Sequence, residues 1–537
     1  MDTTLTDLFQ AASKARAHEL AMADAPNRET FAVGGPRRYN WGQLDDAVSC
    51  CATSLDELGV QPGQRVAIQL PNIAELPILI LACSQIGAVA VPFPIQHRAH
   101  ELRHGFESAG VRLAVTGSRP DRPDQVDVMT SVAEEFGPER RITVASVDAD
   151  HDGEVVDTGP SVIDAAYAVP APEVAPDDDA TICWTSGTTG TPKGVPRTHS
   201  MWAETAQFQI DALGLTSHDR ILCQFPLVNM AGIGGMLVPW LMSQSALILH
   251  QPLDLAVFLQ QLQTERITYT VAPPPLLNML LRNEAILADV DLSALRIITS
   301  GSAPLDPWMI EGWEAKGIEI CNAFGSNEGV SLLSTRSTVP DPTQRARLFP
   351  EPGRAGVDAC IVDLLSGEEI VDGGHPGELL FGGPTVFNGY LGSDGSEFVN
   401  LTGSRWFRSG DIFEWASPAT GNEPRLMRFV DRAKDIIIRG GMNISAAEVE
   451  ALISVHPGVV ECAVVGYPDP DMGERVGVFV VPDPDATAPD LDAVVETMRS
   501  AEVASYKLPE RLEVIDTLPR NPVGKVVKPE LRARWKS

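Results

Sequence analysis

The segment TSGTTGTPKGVPRTH, from Thr185 to His199, is dense in small and hydroxyl-bearing residues. Between Thr185 and Gly194 it carries five hydroxyl side chains, three glycines and one lysine, Lys193. Glycine lets a ligand approach the backbone closely, and consecutive amide and hydroxyl donors can surround an anion. The apolar run ATICWTS (180–186) leads into this segment and predicts a buried strand. A strand followed by a donor-rich loop with a lysine indicates a phosphate-binding site.

Two common phosphate-loop patterns do not fit this segment. A Walker A loop requires G-x-x-x-x-G-K-[ST], but Pro192 stands five residues after Gly187, and Gly194 follows Lys193. The dinucleotide pattern G-x-G-x-x-G does not fit either. An ordinary flexible loop is the remaining alternative, and the density of hydroxyls after a buried strand argues against it.

Strand and helix patterns alternate on both sides of the loop. RVAIQLP (65–71) and AVAVPFP (88–94) are predicted strands, and a helix is predicted between them from Ile78 to Gly87. Further buried strands are predicted in the stretches DRILCQFP, SALILH, ITYTVAP and LRIITSG. This alternation is typical of an α/β fold with doubly wound sheets.

The chain has 537 residues, which is too long for one compact core. From about 350 to 430, short β runs are broken by glycines, and this texture predicts a small β-barrel-like subdomain. From 431, a helix and two strands predict a separate α+β unit. We therefore predict an N-terminal core over 1–430, which includes the β subdomain, and a C-terminal domain over 431–537.

Composition excludes several classes of protein. The formal net charge is −31, whereas nucleic-acid binding needs a basic face. The chain lacks a basic amphipathic segment, a run of 18 apolar residues and the charged start of a signal peptide. None of the eight cysteines forms a C-x-x-C pair, so zinc and redox motifs are not indicated. We expect a cytoplasmic protein without stable membrane association or nucleic-acid partners.

The stretch TSGTTGTPKG closely resembles the phosphate-loop signature of the adenylate-forming superfamily. This superfamily includes acyl- and aryl-CoA ligases, adenylation domains of peptide synthetases, and luciferases. Further stretches are similar to its motifs in the expected order, namely GVQPGQRVAIQLPN (59–72), QIGAVAVPFP (85–94), SGSAPL (300–305), NAFGSNEG (322–329), GELLFGGPTVFNGYL (377–391), WFRSGDI (406–412), VDRAKDIIIRGGMNISAAEVE (430–450) and PRNPVGKVVK (519–528).

The resemblance implies an acid–thiol ligase that works in two half-reactions. A carboxylate attacks the α-phosphorus of ATP to give an acyl-adenylate and pyrophosphate, and a thiol then attacks the adenylate carbonyl. Both steps develop negative charge, so fixed donors and cations are required. The implied cofactors are ATP, Mg²⁺ and coenzyme A, and the implied substrate is a small-molecule carboxylic acid.

The resemblance also assigns roles to individual residues. Lys525 would stabilise the first transition state, and Glu328 would help to hold Mg²⁺. Asn229 stands where the superfamily's P-L-x-H-x-x-G pattern commonly has histidine, beside the acyl site and the phosphate, and is a further catalytic candidate. The residues implied to bind ATP or AMP are Thr185, Ser186, Gly187, Thr188, Thr189, Gly190, Lys193, Gly301, Ser302, Ala303, Asn322, Ala323, Phe324, Gly325, Ser326, Asn327, Asp411 and Arg432.

Thioester formation would use the C-terminal domain. Lys434 lies at the position of the superfamily's hinge, about which this domain would rotate as a mobile lid. Gly440 and Gly441 would let a pantetheine arm pass close to the backbone. The acyl pocket is mainly apolar and without a basic residue, which suits an aromatic, alicyclic or medium-chain acid better than a dicarboxylate. Its implied residues are Val228, Asn229, Met230, Ile233, Ser300, Gly301 and Ala323.

Two questions stay open at this point. A finer resemblance, including VPRTH (195–199) and DMGERVGVF (471–479), points to enzymes that activate 2,3-dihydroxybenzoate or salicylate. Coenzyme A is the favoured acceptor, and the alternative is an aryl-acid AMP ligase that loads the pantetheine thiol of a carrier protein. The sequence does not decide between a monomer and a homodimer. A non-catalytic nucleotide sensor is disfavoured because Lys525, Glu328 and Asp411 are all retained.

Overall fold

The computed structural model describes residues 1–148, 154–159, 172–185, 192–301, 305–353, 356–364, 366–371, 375–401, 403–416, 424–433, 435–439, 442–469, 472–484, 486–501, 505–520 and 526–535. The chain divides into two compact units. The larger unit comprises Met1–Asp358 and Phe381–Phe407, and the smaller unit comprises Ala359–Leu380 and Arg408–Ser537. The fold is therefore mixed α/β with a large N-terminal and a smaller C-terminal part, as predicted.

The strands up to residue 350 are short and mostly buried. They are β1 (Leu20–Ala23), β2 (Arg38–Asn40), β3 (Arg65–Gln69), β4 (Val89–Pro92), β5 (Leu113–Thr116), β6 (Thr143–Ser146), β7 (Glu154–Val155), β8 (Asp179–Thr185), β9 (Lys193–Thr198), β10 (Arg220–Cys223), β11 (Ala246–Leu249), β12 (Tyr269–Val271), β13 (Ile297–Gly301), β14 (Glu319–Gly325), β15 (Ser331–Ser334) and β16 (Leu348–Pro350).

The helices of the same region alternate with these strands. They are α1 (Leu5–Arg16), α2 (Trp41–Glu57), α3 (Glu75–Gln85), α4 (Ala99–Ala109), α5 (Gln125–Glu134), α6 (His199–Leu213), α7 (Val238–Ser243), α8 (Leu255–Thr264), α9 (Pro274–Arg282), α10 (Glu284–Leu287), α11 (Pro307–Ala315) and α12 (Pro342–Arg345), with a π-helix at Met230–Leu237.

Two predominantly parallel sheets form the larger unit. The first has the strand order β15-β14-β13-β12-β10-β11-β1-β2, and its two edge strands, β15 and β2, run antiparallel to their neighbours. The second has the order β7-β6-β5-β3-β4-β8-β9, and only its edge strand β9 is antiparallel within the described pairs. Non-consecutive neighbours such as β10 and β12 confirm the doubly wound α/β prediction.

The core of the larger unit lies between these sheets. One apolar cluster contains Ile68 of β3 and Ile221 of β10 together with Trp41, Trp202 and Trp240 of the helices. Every residue of α3 from Glu75 to Ser84 is buried. A helix that is buried on all sides needs layers on more than one face, and two sheets supply them. The predicted helix at Ile78–Gly87 is therefore confirmed, beginning three residues earlier and ending at Gln85.

The remaining elements lie mostly in the smaller unit, but the third of them lies in the larger unit and the first, second and fourth have residues in both. They are β17 (Asp358–Val362), β18 (Gly377–Gly382), β19 (Phe398–Leu401), β20 (Ser404–Trp415), β21 (Leu426–Arg432), β22 (Ile437–Arg439), β23 (Met442–Ile444), α13 (Ala446–Ile453), β24 (Val459–Asp469), β25 (Gly473–Pro482), α14 (Leu491–Ser500), β26 (Arg511–Val514) and α15 (Lys528–Arg534).

The β runs predicted around 350–430 are strands of one sheet, in which β20 and β21 are antiparallel. Strands β21, β20, β18 and β17 lie side by side in that order. The C-terminal sheet has the order β23-β22-β25-β24, with β26 paired to β25, and apolar clusters cover it. The helix and the two strands predicted after 431 are α13, β24 and β25. The boundary at 430/431 and the mobility of the C-terminal domain remain predictions.

Two composition-based expectations can be compared with this fold. None of the eight cysteines, all of which lie in the described ranges, forms a disulfide, and all except the half-buried Cys462 are buried. Among the residues that the structure describes, no helix is both long and apolar enough to cross a membrane.

Candidate active site

The hydroxyl-rich loop joins two antiparallel strands. Thr185 at the end of β8 lies opposite Lys193 at the start of β9, as Cα partners of one ladder. The two residues that flank the loop therefore lie side by side. The prediction of a strand before the loop is confirmed, whereas β9 was not predicted. Pro196 within β9 obscures the strand pattern, and proline is tolerated there because β9 is an edge strand.

Lys193 is linked through Tyr390 to Glu328. The Lys193 ammonium lies 4.4 Å from the centroid of the Tyr390 ring. The Tyr390 hydroxyl donates a hydrogen bond of 2.7 Å to Glu328 Oε1. Burial, followed by the charge of Glu328, raises the pKa of Tyr390, so the phenol keeps the proton that it donates. Lys193, which is predicted to bind phosphate, and Glu328, which is predicted to hold the metal, therefore both contact Tyr390. The sequence analysis assigns no role to Tyr390.

Glu328 lies in a tight turn between β14 and β15. Ser326 donates its backbone N–H to Val330 O at 3.0 Å, and Phe387 donates its N–H to Glu328 O at 2.9 Å. Gly329 has a φ of +107°, and a Cβ at that position would lie 1.9 Å from Thr385 O. Only glycine fits there. The turn is thereby held in place, and the Glu328 side chain is 8% exposed.

Arg197 on β9 holds this turn in place through hydrogen bonds to backbone carbonyl groups. Its side chain is fully buried, and it donates hydrogen bonds to Thr385 O at 2.6 Å and to Thr205 Oγ1 at 2.9 Å. A longer contact of 3.5 Å reaches Asn327 O. Burial lowers the pKa of Arg197 to about 10, against smaller opposing effects of Cys183 and Glu328. Sequence reasoning missed this residue, although it lies in the matched stretch VPRTH.

Asn229 and Asn327 organise the predicted acyl side of the site. Asn229 caps the π-helix, since its Oδ1 accepts the N–H of Gly232 at 3.1 Å. Asn327 Oδ1 accepts the N–H of Met230 at 2.7 Å, and its Nδ2 donates to Trp184 O at 3.1 Å. Both amides thus bind the protein backbone. The predicted catalytic role of Asn229 and the predicted phosphate contact of Asn327 remain predictions.

The other predicted pocket and nucleotide residues of the larger unit fall in two places, on β13 and β14 or between β10 and α7. Ser300 lies opposite Asn322, and Gly301 lies opposite Ala323, in the parallel ladder of these strands. Met230 and Ala323 pack against the apolar cluster that contains Ile233. Val228, Ile233 and Ser300 are buried, and Phe324 is half-buried with its ring 6.1 Å from that of Phe349. Asn322 donates to Arg345 O at 2.9 Å.

Asp411 and Arg432 are neighbours in the smaller unit. They are Cα partners on β20 and β21, and Arg432 Nε lies 3.5 Å from Asp411 Oδ1. Asp411 is 8% exposed, whereas Arg432 is exposed. The two side chains form an ion pair, and a ribose-binding role for either residue remains a prediction.

Several predicted site residues lie outside the described residues. They are Ser186, Gly187, Thr188, Thr189, Gly190, Ser302, Ala303, Lys434, Gly440, Gly441 and Lys525.

The residues present fit a magnesium ion that is shared with a nucleotide. Within the described ranges, no group of three or more His, Cys, Asp or Glu side chains could hold a metal ion. Mg²⁺ in nucleotide sites commonly takes one or two carboxylates together with phosphate oxygens and waters. Glu328 supplies one carboxylate with one oxygen already hydrogen-bonded to Tyr390. Bound there, Mg²⁺ would neutralise charge on the phosphates.

Tyr390 also lines a groove. It has a volume of about 400 Å³ and is lined by charged and polar residues, among them Asp394, Glu397 and Arg405. Acyl pockets are mostly apolar, so this groove does not match the predicted acid-binding site.

Comparisons with known proteins identify the family of this chain. Residues 18–391 match the family model described as AMP-binding enzyme, and residues 448–525 match the AMP-binding enzyme C-terminal domain. The chain is 31% identical over 508 residues to feruloyl-CoA synthase from an Amycolatopsis species, covering 93% of this chain and 95% of that protein.

A relative from Mycobacterium tuberculosis and a solved structure extend the comparison. The chain is 32% identical over 508 residues to 3-[(3aS,4S,7aS)-7a-methyl-1,5-dioxo-octahydro-1H-inden-4-yl]propanoyl:CoA ligase, covering 94% of this chain and 95% of that protein. ATP-bound MatB from Rhodopseudomonas palustris has a TM-score of 0.79 at 26% identity, covering 100% of this chain and 99% of that chain. The similarity therefore spans both units.

Proposed function

Because the chain belongs to the AMP-binding enzyme family, we propose that its substrate is a ring-bearing monocarboxylic acid. The enzyme is an AMP-forming acid–thiol ligase, which activates a carboxylic acid with ATP and transfers the acyl group to coenzyme A. The observation that carries the site assignment is the series Lys193–Tyr390–Glu328, which joins a phosphate-loop cation to a buried carboxylate.

In the first half-reaction, the loop between Thr185 and Lys193 binds the β- and γ-phosphates. Glu328 would hold Mg²⁺, which would neutralise negative charge on these phosphates. Asp411 accepts hydrogen bonds from the ribose hydroxyls, for which a carboxylate is suited. Lys525 places its ammonium between the substrate carboxylate and the α-phosphate, where negative charge develops. These assignments rest on the matched motifs.

In the second half-reaction, the C-terminal domain rotates about Lys434. This rotation withdraws Lys525 and presents Gly440 and Gly441 to the pantetheine arm of coenzyme A. Glycine is suited to this position because the arm must pass close to the backbone. Loading of a carrier-protein thiol is the alternative, and the same glycines would serve it.

The choice of a ring-bearing acid rests on the pocket residues and on the relatives. Met230, Ile233 and Ala323 are apolar and share one cluster, and none of the predicted pocket residues is basic. A second carboxylate would lack a cation there. The two relatives described above are named for a feruloyl group and for an inden-4-yl propanoyl group, both of which contain rings.

Pyrophosphate release with a panel of acids tests this proposal. The panel contains benzoates, cinnamates, a bicyclic propanoate, hexanoate, octanoate and malonate, each with and without coenzyme A. We expect release only with ATP, Mg²⁺ and an acid, the highest kcat/KM for a ring-bearing acid, and an acyl-CoA product. Glu328→Gln serves as the inactive control.

Each contrary result has a definite meaning. Preference for malonate would overturn the acid class, and a thioester formed only on a phosphopantetheinylated carrier protein would replace coenzyme A as the acceptor. Release with none of the acids, despite ATP binding, would instead support the nucleotide sensor.

A further inference from the structure

We propose that Tyr390 is a positioning residue. It holds the side chains of Lys193 and Glu328 in place, so that both can act on the same Mg²⁺–triphosphate. This inference rests on the proposed function and adds to it a residue that the matched motifs leave without a role. Tyr390 would act through its two neighbours and would not itself touch the reacting atoms.

The Tyr390 side chain contacts both partners through different parts of its ring system. Its hydroxyl donates to Glu328 Oε1 at 2.7 Å, while Lys193 Nζ lies over the ring face at 4.4 Å from the centroid. A lysine ammonium within about 6 Å of an aromatic centroid is attracted by the ring quadrupole. One side chain therefore restrains an anion and a cation that lie 135 positions apart in the numbering (328 − 193).

The backbone beside Tyr390 is itself held against β9. The next residue, Leu391, donates its N–H to Gly194 O at 3.0 Å, and Gly194 directly follows Lys193. Tyr390 donates its own N–H to Glu397 Oε1 at 3.0 Å. The ring packs edge-on against Phe387 with a centroid distance of 4.8 Å. The position of the phenol is thus set by contacts on three sides.

The hydrogen bond to Glu328 leaves the carboxylate able to bind a metal. An ionised carboxylate has two oxygens with about four acceptor positions, and the Tyr390 hydroxyl uses one of them on Oε1. Hydrogen-bonded partners commonly orient carboxylates that bind metals, and their loss weakens metal affinity. Removing the hydroxyl should therefore raise the Mg²⁺ requirement without removing a phosphate contact.

ATP binding in the absence of acid tests this coupling. Equilibrium dialysis with labelled ATP is carried out over a series of free Mg²⁺ concentrations, and also in EDTA, for the wild type, Tyr390→Phe and Tyr390→Leu. We expect Tyr390→Phe to raise the Mg²⁺ concentration for half-maximal ATP binding about tenfold. Its ATP affinity in EDTA should be unchanged, because the ring still lies beneath Lys193.

Tyr390→Leu separates the two contacts. It removes the ring as well as the hydroxyl, so we expect the same Mg²⁺ effect and an additional loss of about threefold in ATP affinity in EDTA. Tyr506→Phe, at a half-buried tyrosine of the smaller unit, is the matched control and should change neither value.

A double mutant tests whether the effect of Tyr390 on the Mg²⁺ dependence requires Glu328. In the Glu328→Gln background, Tyr390→Phe should no longer change the Mg²⁺ dependence. An unchanged Mg²⁺ dependence in Tyr390→Phe alone, or an equal effect in both backgrounds, would overturn the proposal. If Tyr390→Phe does not fold, Glu397→Ala releases the Tyr390 backbone instead, and the absence of any Mg²⁺ effect there would overturn it as well.

The outcome is independent of the test of the acid substrate. Pyrophosphate release by the wild type can fail with every acid in the panel while Mg²⁺-dependent ATP binding still distinguishes Tyr390→Phe. Conversely, the enzyme could be an active ligase whose Mg²⁺-dependent ATP binding is unchanged by the Tyr390 substitutions. That result would contradict the inference and leave the proposed function intact.

Discussion

Asn327 Oδ1 accepts a hydrogen bond from the backbone N–H of Met230 at 2.7 Å. The same side chain donates from Nδ2 to Trp184 O at 3.1 Å. Trp184 precedes the phosphate loop, and Met230 begins the π-helix on the predicted acyl side. One amide therefore links the turn that carries Glu328 to both of these segments.

Asn327→Asp should impair acid activation while keeping the size of the side chain. A carboxylate can accept from Met230 but has no N–H for Trp184 O, so two oxygens would face each other. We expect kcat/KM for pyrophosphate release to fall about tenfold, which is the cost of one unmade hydrogen bond. Asn400→Asp, at an exposed asparagine, is the control. Equal kinetics for the two variants would contradict a linking role for Asn327.

Arg197→Lys should destabilise the larger unit and reduce activity together. Lysine lacks the planar fork that reaches Thr385 O and Thr205 Oγ1, and it would leave buried acceptors without donors. We expect a loss of about 2–3 kcal/mol in the free energy of unfolding. Urea unfolding followed by tryptophan fluorescence measures this loss, and exposed Arg347→Lys should change stability little. A variant with wild-type stability would show that these bonds are dispensable.

Gly329→Ala should displace Glu328. Its methyl group would collide with Thr385 O at 1.9 Å, in addition to the strain of a positive φ. Gly34→Ala provides a matched comparison, because Gly34 also has a positive φ but no atom within 4 Å of a built Cβ. We expect Gly34→Ala to cost about 1 kcal/mol with normal activity. For Gly329→Ala we expect a greater loss of stability, and pyrophosphate release near the level of Glu328→Gln.

His199 should contribute to the acid sensitivity of the fold. Burial lowers its pKa to about 4, and its Nδ1 accepts the N–H of Leu5 at 3.3 Å. The unfolded chain gains a proton on this imidazole near pH 6.5, whereas the folded chain gains it only near pH 4. Stability from His199 is therefore complete above pH 6.5 and decreases as the pH falls towards 4, by at most about 3 kcal/mol.

Thermal unfolding between pH 7 and pH 5 tests the contribution of His199. His199→Asn retains an acceptor for Leu5 but does not titrate in this range, so its midpoint should fall less than that of the wild type. Exposed His218→Asn should behave as the wild type does. The same slope in all three proteins would show that other groups dominate the acid response.

Lys525→Ala should abolish adenylate formation and spare thioester formation. The lysine is assigned to the first transition state only, so acyl-CoA should still form from supplied acyl-adenylate and coenzyme A. Single-turnover measurements of each step separate the two, and Lys316→Ala, at an exposed lysine of α11's C-terminal end, is the control. Equal loss in both steps would contradict this assignment.

Local patterns predicted much of the fold. Buried strands such as β8, β10 and β13 are short apolar runs, and such runs are recognisable without knowledge of their neighbours. Strand β9 was missed because Lys193, Pro196 and Arg197 break any apolar pattern. Its pairing with β8 is what makes it a strand, and an apolar pattern within β9 does not reveal that pairing.

The sequence by itself determined the chemistry that is available: a donor-rich loop, a carboxylate after β14 and a lysine near the C-terminus. Only the tertiary structure decided that Tyr390 lies between Lys193 and Glu328, and that Arg197 is buried among acceptors from α6 and Thr385. The reason is physical. Motifs depend on neighbouring residues, whereas these contacts join positions up to 197 residues apart (390 − 193) and exist only once the strands and loops have packed.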